Sequence, residues 1–215
     1  ETLTFSENVS YVQVFRYNQN IVLFTRLSTS KNWVFRYSSD GGNTWSDERV
    51  FLQSSPNFEW IYMIGQPNHA TLTSVRIAVG SHPINGTSQN IYMITFNLWN
   101  GQVRKPIPGQ PTETIGNIYD GSGLPFSPDD FTLLYEAAPN EKTRLFGISG
   151  GEKAEVGIAS FTSTSDAKYK YIYYDDGAHV IDLVDAGIPF EIPAGNNYYY
   201  GGMTFSGNYQ YGTLY

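Results

Sequence analysis

Histidine, tyrosine and arginine are the side chains through which this chain can move a proton or clamp an anion, and a few of them stand where such chemistry has a local reason. His82, in Ser81-His82-Pro83, follows the strand-like run Val75–Gly80, in the kind of loop that faces a cleft. Tyr200 precedes Gly201-Gly202, whose missing Cβ atoms permit close backbone approach beside a reactive or sugar-stacking ring. Arg36 and Arg144 are each flanked by apolar strand residues, from which a guanidinium reaches either a ligand or a buried carboxylate. His69 lies in a polar loop and reads as surface, His179 reads as structural or exposed, and Asp175-Asp176 reads as a hairpin turn. The chain has no cysteine, so disulfides and thiolate metal sites are excluded, and no cofactor or metal is expected.

The elements that carry these residues are short strands. Period-two runs recur at Tyr11–Tyr17, Asn20–Leu27, Trp33–Ser38, Arg49–Gln53, Ile61–Ile64, Val75–Gly80 and Ile91–Leu98. Further runs follow at Thr132–Ala137, Arg144–Ile148, Val156–Phe161, Lys170–Tyr174, His179–Leu183, Tyr198–Phe205 and Thr213–Tyr215, and no helix is evident. Gly101–Asp130, with five prolines, is the least strand-like stretch and reads as an excursion from the sheets or a linker. Aromatics make up 16% of the 215 residues and charged residues only 15%, a balance that suits strands and sugar-facing surfaces. The net charge of -7 argues against a nucleic-acid partner, and no apolar run is long enough for a membrane span. The chain opens and closes within strand-like runs, so it is expected to be a trimmed or mature piece of a longer, secreted or surface protein.

Ser38-Ser39-Asp40-Gly41-Gly42-Asn43-Thr44-Trp45, between two apolar strands, specifies a self-locking hairpin. Asp40 can accept backbone N–H groups, Gly42 can take positive φ, and Trp45 can fold back as a plug. This run resembles the Asp-box, with Ser38, Asp40, Gly42, Thr44 and Trp45 filling its defining positions. The resemblance implies an all-β, propeller-type domain over residues 1–215, of about four to five blades, completed by further segments of the same protein. The box itself is a structural lock and names no reaction.

The order of features also resembles the Asp-box polysaccharide lyases of the ulvan-lyase type: Asn32-Trp33-Val34-Phe35-Arg36, then Val75 to Pro83 with Asn90-Ile91-Tyr92, then Tyr199-Tyr200-Gly201-Gly202. That resemblance implies β-elimination on a uronate-containing polysaccharide, with His82, Tyr200 and Arg144 as the catalytic group and Arg36, Tyr62, Tyr92 and Tyr199 meeting substrate. The family's second histidine is absent from Trp60-Ile61-Tyr62-Met63, where Tyr62 is the available proton carrier. Two alternatives stand beside the lyase. One is a carbohydrate-binding or adhesion module that uses the tyrosine-rich surface without turnover. The other is a sialidase-like hydrolase built on converging arginines, with Val14-Phe15-Arg16-Tyr17 as its start.

Overall fold

The computed structural model describes residues 2–68, 71–82, 88–150, 154–162, 168–175, 177–182, 203–205 and 212–214. They form an all-β architecture of consecutive antiparallel sheets. Strands β1 (Val9–Tyr17), β2 (Asn20–Leu27), β3 (Trp33–Ser38) and β4 (Arg49–Leu52) pair in chain order. The second sheet runs β5 (Ile61–Pro67), β6 (Ser74–Ser81), β7 (Ile91–Asn97), β8 (Gln102–Ile107) and β9 (Gln110–Asn117). Its β7 edge is shared: Thr95 and Phe96 pair with β8, while Ile91 to Met93 pair with β10 (Thr132–Tyr135). The third sheet is β11 (Lys142–Ile148), β12 (Ala154–Phe161), β13 (Lys168–Tyr174) and β14 (Ala178–Asp182). A two-stranded pair, β15 (Met203–Phe205) and β16 (Gly212–Leu214), follows. The described residues close no ring, and among them no helix is long and apolar enough to cross a membrane.

The inner strands β6 and β7 of the middle sheet are buried along most of their length because both of their faces are covered. On β6, Val75, Ile77 and Val79 enter a core shared with the first sheet, while Ala78 enters a second core shared with the third. On β7 the same alternation sends Tyr92, Ile94 and Phe96 one way and Ile91 and Met93 the other. The first core is an aromatic cluster in which Phe24 meets Phe51 at 4.9 Å, Phe96 at 5.5 Å and Phe35 at 5.8 Å between ring centroids. The sheets are also tied through polar groups. Gln13 donates to the Met63 carbonyl at 2.6 Å and accepts from the Gly65 N–H at 2.7 Å, and the Trp33 indole donates to the Ile61 carbonyl at 2.8 Å.

The Ser38–Trp45 turn locks as its residue types require. Asp40 accepts from the Thr44 N–H at 2.9 Å, the Thr44 hydroxyl at 2.6 Å and the Ser38 hydroxyl at 2.8 Å. The Gly42 N–H donates to Ser38 Oγ, Gly42 takes a φ of 97°, and the Trp45 indole donates back to the Gly42 carbonyl. These hydrogen bonds to the charged form, led by the Thr44 hydroxyl, hold the Asp40 carboxyl down at about 2.

Gly101–Asp130 departs from expectation in its first half, because three of its five prolines, Pro106, Pro108 and Pro111, sit inside a hairpin, while Pro125 and Pro128 follow it. Pro106 falls where the β8–β9 register shifts, and Pro111 falls on β9, an edge strand where a missing N–H breaks no outer ladder. Gly109, at φ 65°, makes the turn between them.

Two stability tests follow from these contacts. Gln13→Ala leaves the Met63 carbonyl and Gly65 N–H without their partner, and urea unfolding is expected to show a loss of about 1–3 kcal/mol. Because the Asp40 carboxyl is depressed in the fold, its contribution is complete above the ordinary 3.8 and fades as pH falls through about 2. Asp40→Asn should therefore lower the Tm by a few degrees near neutrality, with the gap to the native chain closing in strong acid.

Candidate functional site

A cluster of aromatic and cationic side chains gathers where β1 and β5 begin and β2 and β6 end. Along β6, alternation puts Gly80 and His82 on one face, and Tyr62 of β5 stands opposite Gly80. The Tyr62 ring stacks on the His82 imidazole, at 5.5 Å between centroids and 25° between planes, while the missing side chain at Gly80 makes room for Ile91. Trp60 lies 6.2 Å from the same imidazole, and the His82 N–H donates to the Trp60 carbonyl at 3.0 Å. Gln89 donates to the His82 carbonyl at 3.3 Å while its own amide oxygen accepts from the Thr143 N–H at 3.0 Å, so β11 is tied to the same corner.

Next to this stack lies Arg26, near the end of β2. Its Cζ is 4.5 Å from the Tyr11 ring centroid, 5.3 Å from Trp60 and 5.6 Å from Tyr62. A bulge in β1 between Ser10 and Gln13 swings Tyr11 out of register and over the guanidinium, and its hydroxyl lies 3.3 Å from that of Tyr62. Lys31 Nζ sits 3.7 Å from the Trp60 ring centroid. Tyr11, Lys31 and Trp60 all have left-handed backbones, with φ of 57°, 62° and 58°. Each such residue costs about 1–3 kcal/mol, and clustering of this kind is characteristic of functional sites.

The electrostatics favour a neutral imidazole. Burial first, then the positive charges of Arg26 and Arg144, push the His82 pKa below its ordinary 6.5. His82 is only 6% exposed, and burial together with the two positive charges favours its neutral form. Such an arrangement can take a proton from a carbon acid while cations balance the charge that develops. Among the described residues no group of three His, Cys, Asp or Glu side chains could hold a metal ion.

The residues singled out from sequence fall into three sets. His82 and Tyr62 are in direct ring contact, and Arg144 acts on His82 through its charge while stacking at 5.2 Å on Phe146. Arg36 and Tyr92 are engaged elsewhere. Arg36 donates to the carbonyls of Ser46 and Thr4, each at 2.8 Å, and so ties the N-terminal segment to the Asp40 turn. Tyr92 is buried against Phe58, and its hydroxyl donates to Asp129 at 3.1 Å. Tyr199, Tyr200 and His69 lie outside the described residues, and His179 stacks on Tyr173 on exposed β14. Sequence reasoning missed Arg26, Tyr11, Trp60 and Lys31. A signal for Arg26 was present, since period two puts it on the face of β2 that carries Val22 and Phe24, both fully buried.

In fold, the chain is similar to a polysaccharide lyase, an ulvan lyase of family PL25 whose structure holds a glucuronate-(1-4)-3-sulfated-rhamnose ligand. The TM-score is 0.63 over 93% of this chain, at 14% sequence identity. The chain spans 47% of that lyase, about half its length. No family model matches the chain, and no curated protein matches it in sequence.

The depressed pKa has two measurable consequences. In an NMR titration, the His82 imidazole is expected to protonate below 6.5. The unfolded chain then binds the proton first, so the stability associated with neutral His82 is complete above 6.5 and declines as pH falls from there toward the folded pKa. His82→Gln should flatten that part of the Tm profile.

Proposed function

We propose that the chain is part of a propeller-type, Asp-box protein that acts on an acidic polysaccharide outside the cell, cleaving it by β-elimination. The observation that carries this reading is the buried imidazole of His82, stacked on Tyr62, with the positive charges of Arg26 and Arg144 acting on it. In this scheme His82 removes the proton α to a uronate carboxyl, and Arg144 balances the charge that gathers on that carboxyl. The electron pair from the broken C–H bond forms a carbon–carbon double bond as the glycosidic C–O bond breaks. A tyrosine, Tyr62 or Tyr200, gives its proton to the departing oxygen. The similarity in fold to a polysaccharide lyase supports this choice of chemistry. The successive sheets are read as blades, with the remainder of the propeller supplied by further segments of the same protein.

A non-catalytic glycan-binding module is the second reading, favoured by tyrosine rather than histidine at position 62. A sialidase-like hydrolase has less support, because Arg16 donates to the Asn18 carbonyl and Arg36 to two others instead of meeting at one carboxylate.

Incubation with a panel of uronate polysaccharides, followed by ultraviolet absorbance of the unsaturated uronyl product, separates the first two readings. A lyase gives a signal that His82→Ala lowers by about 100-fold or more, the scale of general-base catalysis. A binder gives no signal, and its His82→Ala variant keeps most of its glycan affinity.

A further inference from the structure

Arg26 is 6% exposed, and its Nε and Nη1 are buried without a hydrogen-bond acceptor. Removing a guanidinium from water costs several kcal/mol, and stacking on rings returns only part of that while leaving the N–H groups unsatisfied. The surroundings nevertheless hold this cation in place at further expense, through the left-handed backbones of Tyr11, Lys31 and Trp60. Lys31, which donates to the Ser28 carbonyl, brings a second positive charge to the Trp60 ring. Tyr11, the outermost of the rings, is 48% exposed and covers the guanidinium from solvent.

We propose that Arg26 is the base of an oxyanion subsite, taking a sulfate ester or carboxylate carried by a sugar whose apolar face stacks on Tyr11 and Trp60. The inference rests on the polysaccharide reading above and adds a second anion position to it. Donors that lack acceptors in the free protein find them in the ligand, and a planar guanidinium suits an oxyanion better than an ammonium does. Trp60 and Tyr62 touch both Arg26 and His82, so the subsite adjoins the imidazole and receives a substituent near the bond placed there. Tyr11, which covers the guanidinium in the free protein, swings aside for the oxyanion to reach the donors, and its ring then lies against the sugar.

Calorimetric titration at constant salt tests this with two matched pairs of probes. One pair is a sulfated galactan oligosaccharide and its desulfated form; the other is an oligogalacturonate and its carboxyl-reduced form. At least one charged probe is expected to bind the native chain about tenfold or more tighter than its neutral partner, and the pair that shows the difference names the oxyanion. Arg26→Met should abolish the difference while leaving the Tm unchanged or higher, because it removes an unpaired buried charge. Equal binding of charged and neutral probes, or a difference that survives Arg26→Met, overturns the proposal. If Arg26→Met does not fold, Arg26→Lys decides: a several-fold fall in charge preference supports the subsite, and an unchanged preference overturns it. Binding is read without turnover, so selective binding with no unsaturated product keeps the subsite and removes the lyase, whereas product with unselective binding does the reverse.

Discussion

Sheets packed face to face leave one recurring difficulty: the edge strand of each presents backbone N–H and C=O groups with no neighbouring strand to meet them. Gln13 answers this for β5. Its amide carries one acceptor and a pair of donors, and it reproduces for Met63 and Gly65 the two hydrogen bonds that another strand would have made. Gln89 does similar work between Thr143 and the His82 carbonyl. Both contacts reach across from one sheet to the next, so they set the depth and rotation of packing, which hydrophobic contact alone leaves loose. The aromatic core supplies most of the attraction, and the glutamines supply the register.

The same constraint positions the site. β1 is pinned to β5 at Gln13, and the bulge immediately before that residue turns Tyr11 toward Arg26 and Tyr62. On the other side, the Gln89 contact and the backbone bond to Trp60 hold His82 from both ends. His82 is thus seated through its backbone N–H and carbonyl as well as through its ring contact with Tyr62.

What was legible in the chain beforehand follows the range of the interactions. The Asp40 turn could be read residue by residue because its side-chain bonds each span four positions or fewer. Most strands were visible from alternation, except β8 and β9, where a register shift accommodates Pro106, the turn takes Pro108 and edge position tolerates Pro111. His82 and Tyr62 were picked out by residue type and placement. Arg26 is only half legible: period two puts it on the buried face of β2, but the rings around it come from 15 positions earlier and 34 and 36 positions later. Arg36, picked instead on the same kind of local context, is committed to the carbonyls of Ser46 and Thr4.

The outer hairpin has a consequence for the chain in company. β9 is an edge strand whose first five residues are exposed, which by itself would make a template for other strands. Pro111 removes a donor from it, Glu113 adds a charge, and the register shifts against β8 keep it irregular. At its far end the Asn117 N–H is already taken by the Ser122 carbonyl. A second copy arriving edge-on at β9 finds no continuous ladder to extend, so this edge is a poor template for strand addition.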